Sequence, residues 1–129
     1  MTAQKDAIHL TIMNEEKIGI LIKYYSEVSV IINQFVRSLV QDGIVVDKVI
    51  LFGSYAKHKA RKDSDIDLCI ISKNFGTDKM KEMAYLFQKA MRVNTLIEPI
   101  PYHPVQFEQN DYLPIIDEIK TTGIEITIN

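Results

Sequence analysis

The sequence predicts an α/β (α+β) domain in which a small β-sheet packs against helices. Short runs rich in β-branched and apolar residues, typical of strands, are separated by longer segments in which apolar residues recur at helical spacing. The chain has 129 residues, of which 47% are hydrophobic. This is enough for one ordinary domain with a buried core, and we expect a single domain over residues 1–129.

The first predicted elements are a short strand and a long helix. Residues 8–12 alternate apolar and polar side chains, which is a strand pattern. A helix is predicted from near Asn14, a favourable N-cap residue, to a stop at Gly43, and its length allows a break near Ser26. This N-terminal helical segment covers about 14–42. Its apolar residues recur at helical spacing: Ile18, Leu21, Ile22, Tyr25, Val28, Ile32, Phe35, Val36, Leu39 and Val40.

Three strands are predicted in the middle of the chain. Residues 46–52 and 66–71 are β-branched and apolar, and residues 94–100 are interpreted as the third strand. Pro99 and Pro101 have no backbone N–H, so the third strand must end there or lie at an edge of the sheet.

Helices are predicted between and after these strands. Residues 54–60 favour a short helix, and residues 78–91 have the apolar spacing of a longer one. The last predicted helix covers 112–121, with Pro114 in its first turn and Gly123 at its end. In the helix at 78–91, the residues predicted to face the core are Met80, Met83, Ala84, Phe87 and Met91.

Bulk properties exclude several functional classes. The net charge of -2 argues against direct nucleic-acid binding by the whole molecule, so any basic site must be local. The single cysteine, Cys69, cannot form an internal disulfide and is predicted to be a small core residue. The sequence has no signal-peptide pattern and no apolar run of membrane-spanning length. We therefore expect a soluble, cytoplasmic protein that does not bind membranes.

One segment combines the features of a phosphate site and a metal site. A predicted buried strand leads directly into Gly53-Ser54, where glycine permits close backbone approach and the serine hydroxyl lies beside helix-start amides. Asp65 and Asp67 are two residues apart on the next strand, so their side chains point to one face. Two adjacent carboxylates repel each other unless a hard cation such as Mg²⁺ neutralises them. The opposite face of this strand is predicted to be core: Ile66, Leu68 and Ile70.

A third carboxylate and a basic loop complete the predicted site. Glu98 lies in an otherwise apolar stretch where the third strand must stop, and a charge there needs a partner. We interpret Glu98 as a metal ligand or as the base for an attacking hydroxyl. Lys57 and Arg61 lie in the loop before the aspartates and can hold a triphosphate or the departing pyrophosphate. The predicted nucleotide-binding residues are Gly53, Ser54, Lys57, Arg61 and Ser64.

Each of these features also has a simpler structural explanation. Gly-Ser after a strand is usually a turn, Asp-x-Asp is usually a solvated strand end or a helix cap, and a basic loop is often only solvated. Glu98 fits equally well as an edge carboxylate that reaches water. The combination is more specific than its parts. Chance would produce Gly-Ser, a ten-residue spacer and Asp-x-Asp in roughly one chain of this composition in a thousand. The combination favours metal-assisted phosphoryl or nucleotidyl transfer.

At these residues the chain resembles the minimal nucleotidyltransferases of the DNA polymerase β superfamily. Their signature is Gly-Ser, ten residues, Asp-x-Asp and a third carboxylate on a later strand, to which Glu98 corresponds by position. The resemblance covers roughly residues 44–126 and implies a mixed sheet with helices packed on it. The chain differs from the family at His58, where glycine is common. It also differs at the third carboxylate, which is often aspartate in the wider superfamily.

The resemblance implies Mg²⁺-dependent transfer of AMP from ATP to a hydroxyl. Larger relatives carry extra domains that bind the acceptor, and this chain has no room for one. Minimal members are commonly paired with a small helical HEPN protein, which in the better-understood pairs is a toxic ribonuclease. We therefore expect an antitoxin that adenylylates a tyrosine of a HEPN toxin. The alternatives are a transferase for a small aminoglycoside-like molecule, with a homo-oligomer completing its pocket, and a non-catalytic antitoxin that acts by binding.

Overall fold

The computed structural model describes residues 15–127, with side chains described from Tyr25 onward. The predicted strand at 8–12 and the predicted N-cap Asn14 lie outside the described residues. The described part is a mixed α/β structure, which confirms the predicted fold class. In chain order its elements are α1 (Glu15–Gln41), β1 (Lys48–Phe52), β2 (Ile66–Ile71), α2 (Lys79–Val93), β3 (Ile97–Tyr102), α3 (Pro104–Gln109), α4 (Pro114–Thr122) and β4 (Ile124–Glu125).

The strands form one four-stranded sheet in the order β3-β2-β1-β4. β1 is antiparallel to both β2 and β4, whereas β2 and β3 are parallel. The sheet is therefore mixed, as the resemblance implied. β2 lies in the interior of the sheet, and β3 lies at one edge.

The two prolines of β3 lie on the free edge of the sheet. The carbonyls of Leu96 and Tyr102 accept hydrogen bonds from backbone N–H groups at the two ends of β2, at 2.7 and 3.0 Å. Backbone groups alternate in direction along a strand, so Pro99 and Pro101 point away from β2. Their missing donors therefore cost no ladder bond, and they leave the edge unsuited to pairing with another strand. The predicted edge position is confirmed.

Helix α1 is a single helix of 27 residues and is not broken near Ser26. It ends at Gln41. Gly43 follows with a φ of +89°, which suits glycine, and its N–H bonds to the Val40 carbonyl at 2.9 Å. Val40, the last residue of the apolar series, is 54% exposed. Neither α1 nor any other helix in the described part of the chain has the length and apolarity needed to cross a membrane.

The sheet is covered by core side chains on both faces. One face carries the larger cluster, which includes Ile66, Leu68 and Ile70 of β2 together with side chains of α1 and α2. The other face carries Cys69 and Ile71 of β2, packed with side chains of α3 and α4. The face of β2 that carries Asp67 is therefore largely apolar. Charge is confined to the beginning of the strand, because α3 and α4 bury the rest of that face.

Helix α2 forms where it was predicted, with Asp78 as its N-cap, but the predicted inward face is wrong. Leu86 and Ala90 are its buried residues. The helix carries two neighbouring apolar stripes, and periodicity alone does not decide which of them packs on the sheet. The residues of the exposed stripe are Met80 at 84%, Met83 at 39%, Phe87 at 59% and Met91 at 47%, with Ala84 also exposed.

Two short segments differ from the prediction. Residues 54–60 form hydrogen-bonded turns rather than a helix, and the Lys59 N–H bonds to the Ser54 carbonyl at 2.8 Å. Helix α3 was not predicted, because its six residues are too few to show helical periodicity. The side chain of His103 caps it by accepting a hydrogen bond from the Val105 N–H, and Pro104 occupies its first position.

Candidate active site

The sheet pairing brings two of the predicted site carboxylates together. Asp67 is the second residue of β2, and the antiparallel register places it opposite Phe52, the last residue of β1. The parallel register places Asp67 opposite Glu98, the second residue of β3. Asp65 comes immediately before β2 and is exposed. The predicted site residues therefore collect at one end of the sheet, where β1 ends and β2 and β3 begin.

Gly53 makes room for the Asp67 carboxylate. The glycine follows β1 directly and has a φ of +73°, a conformation that side chains disfavour. A Cβ atom built on Gly53 would lie 2.1 Å from Oδ2 of Asp67. The Gly53-Ser54 turn and the aspartate pair are thus parts of one site. Because Gly53 has no side chain, the Asp67 carboxylate can lie against the turn.

Asp67 lies in an electrostatically unfavourable position. Partial burial is the largest cause that raises its pKa to about 6, followed by the negative charge of Glu98 and a hydrogen bond with Glu98. The charges of Asp65 and Glu118 raise the pKa further. This part of the molecule therefore gathers several carboxylates, which is the situation that a bound divalent cation relieves.

The carboxylates fit an open magnesium site better than a closed one. Among the side chains that the structure describes, from Tyr25 onward, no group of three or more His, Cys, Asp or Glu is arranged as a ready metal cage. Asp67 is half-buried, while Asp65 and Glu98 are exposed. Mg²⁺ commonly takes one or two protein carboxylates and completes its shell with water and substrate phosphates. Asp65 and Asp67 are suited to such a role.

Glu118 belongs to the site although the sequence did not indicate it. It lies on α4, which covers this face of the sheet, and its charge contributes to the raised pKa of Asp67. It also forms an ion pair with Lys57, one of the predicted phosphate-binding residues, and both side chains are about one-third exposed. Lys57 and Glu118 are 61 positions apart in the sequence, which explains why no local pattern predicted this contact.

The loop between the two motifs is closed by hydrogen bonds of the predicted nucleotide-binding residues. The Ser64 hydroxyl accepts a bond from the Arg61 N–H at 2.7 Å. The Ser64 N–H bonds to the Arg61 carbonyl at 3.0 Å. Ser64 therefore shapes the loop, and the Arg61 side chain remains exposed to solvent.

His58 adopts the conformation that glycine would favour at this position. Its φ is +57°, so the loop keeps a left-handed residue where the family commonly has glycine. Tyr25 of α1 supports it: the Tyr25 hydroxyl donates to the Tyr55 carbonyl at 2.6 Å and lies 3.3 Å from Nδ1 of His58. The Tyr25 and His58 rings are 5.8 Å apart. Helix α1 thus fixes the loop that follows Gly53.

We expect Tyr25→Phe to loosen this loop. The substitution removes the hydroxyl that bonds to Tyr55 and should lower the free energy of unfolding by about 1 kcal/mol, measured by urea denaturation. The KM for ATP should rise severalfold, because the loop after Gly53 loses its support. Tyr112→Phe is the control, since Tyr112 is 77% exposed. If Tyr25→Phe and Tyr112→Phe change the free energy of unfolding and the KM for ATP equally, Tyr25 has no special role in holding the loop.

One known family matches most of this chain. The model of the nucleotidyltransferase domain matches residues 31–128, which contain Gly53, the aspartate pair, Glu98 and Glu118. The chain belongs to the nucleotidyltransferase domain family. A protein of Methanocaldococcus jannaschii, named "Putative protein adenylyltransferase MJ0141", is 30% identical over 105 residues. The match covers 78% of this chain and 99% of that protein.

Two solved structures share the fold of this nucleotidyltransferase. A crystal structure described as a "putative nucleotidyltransferase from Sulfolobus solfataricus" has a TM-score of 0.56 at 15% identity, and 88% of each chain is covered. A chain from the "Crystal structure of the toxin-antitoxin with AMP-PNP" has a TM-score of 0.52 at 19% identity. That match covers 75% of this chain and 73% of the other.

Proposed function

We propose that this nucleotidyltransferase is a protein adenylyltransferase that transfers AMP from ATP to a tyrosine of a HEPN-domain toxin and thereby acts as an antitoxin. The observation that carries the proposal is the Asp67 carboxylate, held among other negative groups and admitted by Gly53. The relative named as a protein adenylyltransferase supports a protein acceptor. The toxin–antitoxin structure with AMP-PNP supports the nucleotide and the biological setting.

In this proposal the chain's own residues hold and orient the triphosphate. Asp65 and Asp67 would bind Mg²⁺, which would supply positive charge to neutralise the phosphates and polarise the reacting phosphoryl group. Gly53 and Ser54 let the backbone approach the phosphates. The Lys57 side chain forms an ion pair with Glu118 in this structure. In the proposed complex its ammonium group would turn towards the triphosphate.

Glu98 is proposed to accept the proton of the attacking hydroxyl. The tyrosine oxygen forms a bond with the α-phosphorus of ATP, the bond from that phosphorus to the bridging oxygen breaks, and pyrophosphate leaves with its electron pair. The proton of the tyrosine passes to a Glu98 carboxylate oxygen. Glu98 suits this role because it is exposed, at the edge strand, and in register with Asp67.

The proposal predicts labelling of a protein partner. Incubation with Mg²⁺ and ATP should add AMP to a tyrosine of a cognate HEPN-domain protein, detected by intact-protein mass spectrometry. Asp65→Asn and Asp67→Asn should abolish the adduct. Asp63→Asn is the matched control, because it makes the same chemical change in the same loop at an exposed position.

Three other results would contradict the proposal in different ways. Labelling that survives Asp65→Asn and Asp67→Asn would remove the catalytic assignment of both residues. Neutralisation of the toxin that survives both substitutions would indicate a non-catalytic antitoxin that acts by binding. Turnover of an aminoglycoside without any protein partner would indicate a small-molecule transferase.

A further inference from the structure

An apolar stripe on α2 is exposed along the whole helix. We call Met80, Met83, Phe87 and Met91 the α2 stripe; their exposed fractions are 84%, 39%, 59% and 47%. They recur every three or four positions and therefore line one side of the helix. Contiguous exposed apolar patches are uncommon on monomeric proteins and mark interaction surfaces. Methionine is favoured on such surfaces, because its flexible side chain adapts to a partner.

The α2 stripe runs towards the candidate active site. Nζ of Lys79, at the start of α2, lies 4.6 Å above the ring of Tyr102, at the end of β3. The end of α2 is joined to the beginning of β3 by residues 94–96 only. Helix and strand are thus antiparallel, and Met91 lies at the end of the molecule where Glu98 is found. A macromolecule that covers the stripe therefore reaches the site.

The exposed border of the α2 stripe is basic. Lys81 and Arg92 are eleven positions apart, which places them on nearly the same side of the helix, next to the stripe. The acidic residue Glu82 is turned to the N-terminus of α2, where it accepts hydrogen bonds from the backbone N–H groups of residues 76–78. Lys89, on the other side of the helix, pairs with Asp42. The border therefore favours a partner that contributes carboxylates.

We infer that the α2 stripe is the docking surface for the acceptor protein, and that the acceptor contacts it with an apolar patch rimmed by Asp and Glu side chains. This inference rests on the proposed protein-adenylyltransferase function and adds how the acceptor is recognised. A second copy of this chain fits less well. Symmetric antiparallel pairing of two stripes would bring Lys81 of one copy near Arg92 of the other, and these like charges repel.

The test uses a pair of substitutions at the two most exposed positions of the stripe. Met80→Glu with Phe87→Glu should raise the Kd for the cognate HEPN-domain protein, titrated without nucleotide, at least about tenfold. The KM for that protein should rise to the same extent. The KM for ATP should stay unchanged, as should the rate of modification of a short peptide that carries the acceptor tyrosine, because the site itself is intact.

A matched control distinguishes the stripe from any added surface charge. Val30→Glu with Val40→Glu places two glutamates on α1 at positions that are 58% and 54% exposed. This pair should change the Kd by less than about twofold, because surface substitutions away from a contact have small effects. Lys81→Glu with Arg92→Glu should weaken binding and reduce its dependence on salt concentration.

The outcomes separate docking from catalysis. Normal labelling of the partner with an unchanged KM in the Met80→Glu and Phe87→Glu variant would overturn the docking surface and leave the proposed function intact. Binding that depends on the stripe, without any adduct under Mg²⁺ and ATP, would overturn the function and leave the docking surface.

If the stripe substitutions instead abolish self-association, a second copy is the occupant. If they expose residues 1–14 to proteolysis, this chain's own N-terminal segment is the occupant, and the inference is again wrong.

Discussion

Asp67→Asn is expected to lose transferase activity at least about a thousandfold while making the metal-free fold more stable. The activity should fall because removal of a proposed metal ligand would forfeit roughly 4 kcal/mol of transition-state stabilisation. The stability rises because the amide removes a negative charge that lies among other carboxylates. A residue whose removal stabilises the protein and destroys activity is retained for function rather than for folding.

The raised pKa of Asp67 predicts how the free energy of unfolding changes with pH. The pKa of Asp67 is about 6 in the folded protein, compared with 3.8 for an unperturbed carboxyl. The folded state therefore binds this proton more tightly than the unfolded state. The free energy of unfolding should then fall as the pH rises from about 4 to about 6. At pH 7 the ionised carboxylate should cost about 1 kcal/mol, after allowance for the solvent screening of a half-buried group.

Urea denaturation in the presence of EDTA checks this expectation. Asp67→Asn should be about 1 kcal/mol more stable than the wild-type chain at pH 7, and the difference should vanish at pH 4. Added Mg²⁺ should stabilise the wild-type chain and leave Asp67→Asn unchanged. Asp63→Asn controls for net charge, since asparagine tolerates the left-handed φ of +65° at that exposed position. An equal gain in stability in both variants would show that the carboxylate cluster is not its cause.

The sequence predicted the position of β2 better than the contacts that surround it. β2 has the predicted bounds, because a β-branched run between polar residues has only one reasonable interpretation. The pairing of Asp67 with Glu98 was not predictable in detail, since the register of a parallel pair is decided by packing. The contacts of Tyr25 and Glu118 with the site were not predicted for a similar reason, because each residue lies on a helix that is distant in the sequence.

The wrong orientation of α2 has a comparable physical origin. Its sequence contains one stripe with Leu86 and Ala90 and a second with Met80 and Phe87, and both satisfy helical periodicity. Packing against α1 and β3 selects the first stripe. The sequence predicts the existence of a helix with apolar residues on more than one side. Only the structure shows which of these apolar sides remains exposed.

Gly53→Ala is expected to lower the free energy of unfolding by about 2–4 kcal/mol and the rate of transfer about a hundredfold. The φ of +73° accounts for about 1–2 kcal/mol of the loss in stability. The rest arises because the new Cβ would lie 2.1 Å from Oδ2 of Asp67 and must displace the carboxylate. Displacement by about 1 Å suffices for the loss of activity.

Gly43→Ala provides the matched control for the backbone contribution. Gly43 also has a left-handed φ, +89°, but a Cβ there would meet nothing within 4 Å. This variant should therefore lose only the conformational part, about 1–2 kcal/mol, and keep full activity. The difference between the two glycine variants, measured by urea denaturation, reports the close approach of Asp67 to the turn.

A double-mutant cycle separates the contact from every other effect of the substitution. In an Asp67→Ala background the carboxyl group is gone, and the only remaining Asp67 atom near a Cβ on Gly53 is its own Cβ, 3.4 Å away, an ordinary contact. The cost of Gly53→Ala should then fall to that of Gly43→Ala. If the cost is the same with and without the carboxyl group, the glycine serves only the turn. Its link to the carboxylate site would then be wrong.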